Sequence, residues 1–156
     1  MRARGVTSRC TLAAAGLLAA CAGPYGRVRE TYSSTVSPTR FKTIVVIAGE
    51  NDAGDLQIAV QVREKLTASG LTALNRTGLW ETEGAAVAEI CPPASGASGA
   101  ESPPGAVDGV LFVWWNRMTL HDCETRKAAY QIDAAYTGVD NMIKRLLGYL
   151  RRPAAT

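Results

Sequence analysis

Residues 43–74, TIVVIAGENDAGDLQIAVQVREKLTASGLTAL, decide the fold class. Thr43 to Ala48 is an unbroken β-branched and apolar run, the pattern of a strand buried on both faces. Gly49 to Gly54 interrupts it with turn-forming residues, among which Asp52 or Asp55 can cap the free N–H groups of a helix start. Ile58, Ala59, Val62 and Leu66 then recur at helical spacing, with Gln57, Gln61, Arg63, Glu64 and Lys65 on the other side. That spacing predicts an amphipathic helix stopped at Gly70, and Leu71 to Leu74 reads as a second, short strand. A helical crossover returns the chain in its original direction, so the two strands pair in parallel.

Downstream, Leu79 to Ile90 has a weak helical stretch around Ala85 to Ala88, diluted by Gly84. Residues 92–106 (PPASGASGAESPPGA) hold no large apolar side chain and are expected to form a mobile loop. Val107 to Leu120 is the densest apolar segment and reads as one long strand. It places Val110, Phe112, Trp114, Met118 and Leu120 on one face, and Leu111, Val113 and Trp115 on the other. Alternation at Ala128, Tyr130, Ile132, Ala134 and Tyr136 gives an antiparallel partner across a turn at His121 to Glu124. Met142, Ile143, Leu146, Leu147 and Leu150 outline a closing helix, capped by Asp140 and stopped by Pro153. The expected architecture is therefore α/β (α+β), a two-layer sandwich of order β-α-β-(loop)-β-β-α. A mixed sheet of about four strands would carry two helices on one face.

The N-terminus is of a different kind. Arg2, Arg4 and Arg9 precede an apolar run of about ten residues, Thr11 to Ala20, ending in small residues. These are the parts of an export signal, and the run falls short of the roughly 20 residues needed to span a bilayer. The signal ends in Leu18-Ala19-Ala20-Cys21. This resembles the lipobox of bacterial lipoprotein precursors, an aliphatic residue and two small ones before a Cys. The resemblance implies cleavage before Cys21, lipidation of its thiol and acylation of its new amine. An ordinary signal peptide cut after Ala20 or Ala22 is the alternative. Several acyl chains on one Cys hold a protein at a membrane, where one chain anchors only marginally. Ala22, in place of an acidic residue, resembles lipoproteins sorted to the outer membrane. The organisation expected is a signal peptide (1–20), a lipidated Cys with a flexible tether (21–40), one domain (41–152) and a tail (153–156). Within the tether, an edge strand through Arg27 to Tyr32 is the competing reading.

Charge and cysteine usage agree with export. The precursor has 17 Lys and Arg against 14 Asp and Glu. The signal holds three of the cations and no acid, so the mature chain balances at 14 against 14 and offers no basic footprint for nucleic acid. Cys91 and Cys123 remain after processing, in a compartment where disulfides persist. A bridge between them is the favoured reading, with two free thiols as the alternative. Closing such a loop would stabilise the domain by roughly 3–4 kcal/mol.

Candidate chemistry is sparse. His121 stands beside Asp122 and Cys123, but an adjacent trio on a turn cannot wrap a metal, and no oriented base or oxyanion site accompanies the thiol. Glu50, Asp52 and Asp55 follow the first strand, where open α/β sheets often bind ligands, yet they lack the alternation of a calcium loop. Trp114 reads as core and Trp115 as a possible interface residue. No phosphate loop or catalytic motif is present. Beyond the lipobox, the pattern of residues 41–150 resembles small α/β envelope lipoproteins. More loosely, it is similar to those that activate cell-wall synthases or assemble secretion machinery.

The reading is thus a lipid-anchored, periplasm-facing lipoprotein that binds or scaffolds another envelope protein, through an exposed sheet edge, without metal or small-molecule cofactor. The alternative is a small enzyme using the acidic loop or His121, and a third reading makes tethering itself the role. A pocket gathering His121 with two carboxylates would favour the enzyme; scattered polar groups would favour the binder.

Overall fold

The strand–helix–strand unit expected from residues 43–74 forms and organises the rest. The computed structural model of the chain describes residues 28–50, 52–91, 106–134 and 138–153. The strands are β1 (Val28–Tyr32), β2 (Thr43–Ala48), β3 (Thr72–Asn75), β4 (Gly109–Val113), β5 (Arg117–Asp122) and β6 (Ala128–Ala134). The helices are α1 (Ala53–Ala68), α2 (Glu83–Ile90) and α3 (Val139–Leu150), with a 3₁₀ turn at Pro38–Arg40. All six strands join one mixed sheet in the order β1-β6-β5-β4-β2-β3. β2 pairs in parallel with both β3 and β4, and the remaining pairs are antiparallel.

This position of β2 determines where the helices go. The chain leaves β2 toward β3 on one side, then returns past β2 to β4 on the other. Right-handed crossovers in opposite directions put their helices on opposite faces of a sheet. Accordingly Ile58, Val62 and Leu66 of α1 pack with Ile44, Val46, Leu111 and Val113, and α3 joins them through Met142, Ile143 and Leu146. Ala86, Val87 and Ile90 of α2 pack on the other face with Val45, Ile47, Val110 and Phe112. The expectation of two helices on one face is therefore corrected to three helices over both faces.

Strand number is corrected as well, from about four to six. The segment expected as one strand from Val107 to Leu120 turns at Trp115-Asn116, where the Trp114 N–H donates to the Arg117 carbonyl at 2.8 Å. Periodicity carried straight through that two-residue turn misassigns faces. Met118 pairs with Val113 and Leu120 with Leu111, so all four share the α1 and α3 side rather than joining Phe112. The β5–β6 hairpin stands where the sequence places it, with Thr125 N–H donating to the Asp122 carboxylate at 2.8 Å in its turn.

The flexible tether is corrected in part. Val28 to Tyr32 pairs antiparallel with β6, so the edge strand is the reading that holds. Its alternate residues are half-buried, with Val28 packed on the main core, and the low mean apolarity of an edge strand hides that signal. Further along, Val36 and Phe41 are buried in the same core. Asp52 caps α1 by accepting the Asp55 N–H at 2.7 Å. Gly70, at φ +86°, follows the helix in the left-handed conformation that glycine adopts at no steric cost. Asp140 sits in the first turn of α3 rather than capping it, the cap position being Gly138. Residues 1–27, with the signal, Cys21 and Ala22, and nearly all of loop 92–106 lie outside the described residues.

Candidate functional site

At their C-terminal ends, adjacent strands β2 and β3 send the chain to opposite faces, into α1 and α2. That divergence opens a crevice, the place where open α/β sheets bind ligands. Here it is a cleft of about 810 Å³. Ile47, Gly49, Phe112 and Trp114 form its floor, Leu56, Val60 and Arg63 of α1 one wall, and residues 75–83 the other.

The floor depends on a glycine. A methyl group on Gly49 would lie 2.1 Å from the Trp114 indole, so only the bare backbone lets that ring lie down. Over the ring sits the Arg117 guanidinium, 3.9 Å from its centre, a cation–π arrangement. Arg117 also pairs with Glu83 at 3.3 Å, and the second oxygen of Glu83 meets His121 Nε2 at 2.7 Å. The His121 ring stands edge-on to Phe112 with centroids 5.6 Å apart.

The outer wall is braced by one carboxylate of α2. Glu89 accepts the Trp80 indole N–H at 2.7 Å and pairs with Arg76 at 3.2 Å. Between these two braced residues the chain presents Leu79 at 91% exposure, and Leu56 and Val60, which line the same cleft, are also exposed. The cleft mouth is thus apolar on both sides. Arg63, on the α1 wall, has no ion pair among the described residues.

The acidic loop is occupied with structure. Asp52 caps α1, and Asp55, nearly fully buried, accepts the N–H groups of Glu50 at 3.0 Å and Trp115 at 2.9 Å. Burial pushes the Asp55 carboxyl above its ordinary value against those hydrogen bonds, helped by the negative charges of Asp52 and Glu50. Asp55 therefore pins the β4–β5 turn to the start of α1. Glu50 is exposed.

His121 lies elsewhere. It pairs in register with Val110, which pairs with Val45, three residues short of the end of β2. Glu83 is its carboxylate partner, and its buried Nδ1 atom has no partner among the described residues. The neighbouring Asp122 points to the other side of the sheet, where Arg40 pairs with both it and Glu124. The structure thus separates His121 from Asp52 and Asp55. Among the described residues, no group of three His, Cys, Asp or Glu is placed to hold a metal ion.

Cys91 and Cys123 are joined in a disulfide with Cα atoms 5.1 Å apart, tying the end of α2 to the end of β5. Trp115 projects from its turn at 58% exposure, beside the cleft rather than in it. Sequence reasoning missed Trp80, Arg76 and Glu89. The available signal was a lone Trp in a polar segment, and an apolar pair at i, i+4, Leu56 and Val60, lying off the core stripe of α1.

No protein-family model matches the chain, and no curated sequence matches it. Among solved structures, the chain is similar to PelC of a dodecamer from Paraburkholderia phytofirmans. The TM-score is 0.47 and the identity 14%, over 84% of this chain and 99% of that one. A singly substituted PelC dodecamer from the same organism, in a second crystal form, gives 0.43 and 13% over the same shares.

Proposed function

We propose that the chain is a lipoprotein precursor whose mature form, held by lipid on Cys21 and sorted to the outer membrane, presents its domain to the periplasm as a non-enzymatic binding module. The observation that carries the binding reading is the cleft between β2 and β3, with Leu56, Val60 and Leu79 exposed at its mouth. Leu79 stands exposed between two anchored residues, and its sharing one cleft with the exposed Leu56 and Val60 supports reading these residues as an apolar interaction surface. Two of the three acids that an enzyme would use, Asp52 and Asp55, are instead spent on a helix cap and two backbone amides. His121 meets Glu83 rather than a pair of carboxylates, an arrangement that favours the binder over the enzyme.

Two experiments test the two halves. Cells fed radiolabelled palmitate should label the wild-type chain and not Cys21→Ala; an unlabelled wild type removes the anchor. A photo-crosslinking residue at position 79 should capture a discrete envelope protein, whereas one at Thr67, on the far end of α1, should not. Identical products from both positions would remove the cleft from the reading.

A further inference from the structure

The outer face of α3 carries a charge pattern that neither the cleft nor the core uses. Its exposed positions after the first turn are Lys144, Arg145, Gly148 and, just past its end, Arg151 and Arg152. Four of these five are cations, and no acid follows Asp140 in the described chain. Arg145 pairs with Glu30 of β1 at 3.5 Å, while Lys144 and Arg151 have no ion pair among the described residues. Arg152 lies 4.6 Å from the ring centre of Tyr32, an aromatic that β1 leaves 56% exposed.

Gly148 adds a second, independent observation. A glycine inside a helix is unfavourable, and packing usually explains one. Here a methyl group on Gly148 would meet nothing within 4 Å. What the glycine supplies is a flat stretch of helix in the middle of the cationic stripe.

The third observation is reach. Seven peptide steps separate Cys21 from Val28. Fully extended, they span at most about 25 Å. Val28 packs in the same cluster as Val139 and Leu147 of α3, and Glu30, two residues on, touches Arg145. The anchor therefore keeps this face within one short tether of the lipid.

We propose that α3, with Tyr32, seats the domain on anionic lipid headgroups of the membrane that holds its anchor; this rests on the lipid-anchor reading above. Lys144, Arg151 and Arg152 meet headgroup phosphates, Gly148 lets the helix approach, and the Tyr32 ring enters the interface, where such amphipathic rings reside. Docked this way, the domain is held by its tether and by α3 rather than by the tether alone.

The test uses the mature chain carrying Cys21→Ala, so that no acyl chain contributes. It should float with vesicles of phosphatidylglycerol and phosphatidylethanolamine and not with phosphatidylcholine vesicles, losing affinity as salt rises. Each Lys or Arg at an anionic surface contributes about fivefold, so Lys144→Gln, Arg151→Gln and Arg152→Gln together should weaken partitioning roughly a hundredfold. Gly148→Glu, whose side chain enters open space, should weaken it with circular dichroism unchanged. Lys42→Gln, Lys65→Gln and Lys127→Gln, an equal loss of charge at exposed positions outside α3 and the cleft, should leave most of it. Failure to float with anionic vesicles, or equal loss from both triple variants, overturns the proposal. So does tighter binding to soluble polyphosphate than to vesicles. Palmitate uptake by the wild type with no flotation of its Cys21→Ala form removes the docking and leaves the anchor; the reverse result removes the anchor and leaves the docking.

Discussion

The Trp114 indole lies on the backbone of Gly49, with room for no carbon between them. This contact joins the end of β2 to the end of β4 and sets the floor of the cleft. Gly49→Ala must push the ring away or bend the strand end, and overpacking of this kind costs about 1–3 kcal/mol. The variant should unfold at lower urea concentration and show altered tryptophan emission. Unchanged stability and emission would mean that the ring is not seated as described.

Asp55 gives a prediction with a definite sign. Its folded carboxyl titrates above the ordinary value of 3.8, chiefly through desolvation. The folded state then holds the proton more tightly than the unfolded chain. The Asp55 contribution is therefore most favourable below the unfolded value and declines as pH rises through the window above it. Asp55→Asn has no such titration, and its amide can accept from only one of the Glu50 and Trp115 N–H groups through its oxygen. Leaving a buried donor unmet costs about 1–3 kcal/mol. Urea unfolding from pH 3.5 upward should show the wild type more stable, with its advantage narrowing as pH rises. A widening advantage would reverse the assignment.

The parts of this fold that were legible in the sequence are those whose signal is local. The run at Thr43 to Ala48 and the stripe through Ile58, Val62 and Leu66 gave β2 and α1 at close to their observed limits. The errors came where a tight turn hides inside an apolar run. Trp115-Asn116 contains neither Gly nor Pro, so alternation continues through it while the chain reverses. β1 was legible only as the competing reading of the tether, because its alternate residues face solvent and its half-buried Glu30 bonds to the Tyr130 hydroxyl at 2.9 Å, a partner 100 residues away. The cleft was legible only as a location, after the first strand. Its outer wall rests on Glu89 reaching back to Arg76 and Trp80, and no spacing rule predicts that contact.

The Cys91–Cys123 bond closes 32 positions of chain. In the unfolded state that constraint removes entropy worth roughly 3–4 kcal/mol of folded stability. Cys91→Ala with Cys123→Ala should lower the urea midpoint accordingly, and reductant should lower the wild type toward the same value. Mass spectrometry of the alkylated, non-reduced protein should find neither Cys91 nor Cys123 modified. Alkylation of both in that sample would show that the protein does not carry the bond.

Glu89 separates the cleft from the stability of the domain. Its carboxylate is about half exposed, with Arg76 at 3.2 Å and the Trp80 indole N–H at 2.7 Å. Exposed pairs of this kind contribute about 0–1 kcal/mol, so Glu89→Ala should leave the urea midpoint nearly unchanged. The local consequence is larger, because both residues that hold Leu79 in place lose their brace at once. Trp80 should become more accessible to iodide quenching, and a photo-crosslinker at position 79 should lose yield with its captured partner. Glu89→Gln keeps an oxygen for the indole N–H and should recover part of that yield. If Glu89→Ala leaves crosslinking intact, the wall formed by residues 75–83 is not what the partner reads, and the apolar pair on α1 alone would have to carry recognition.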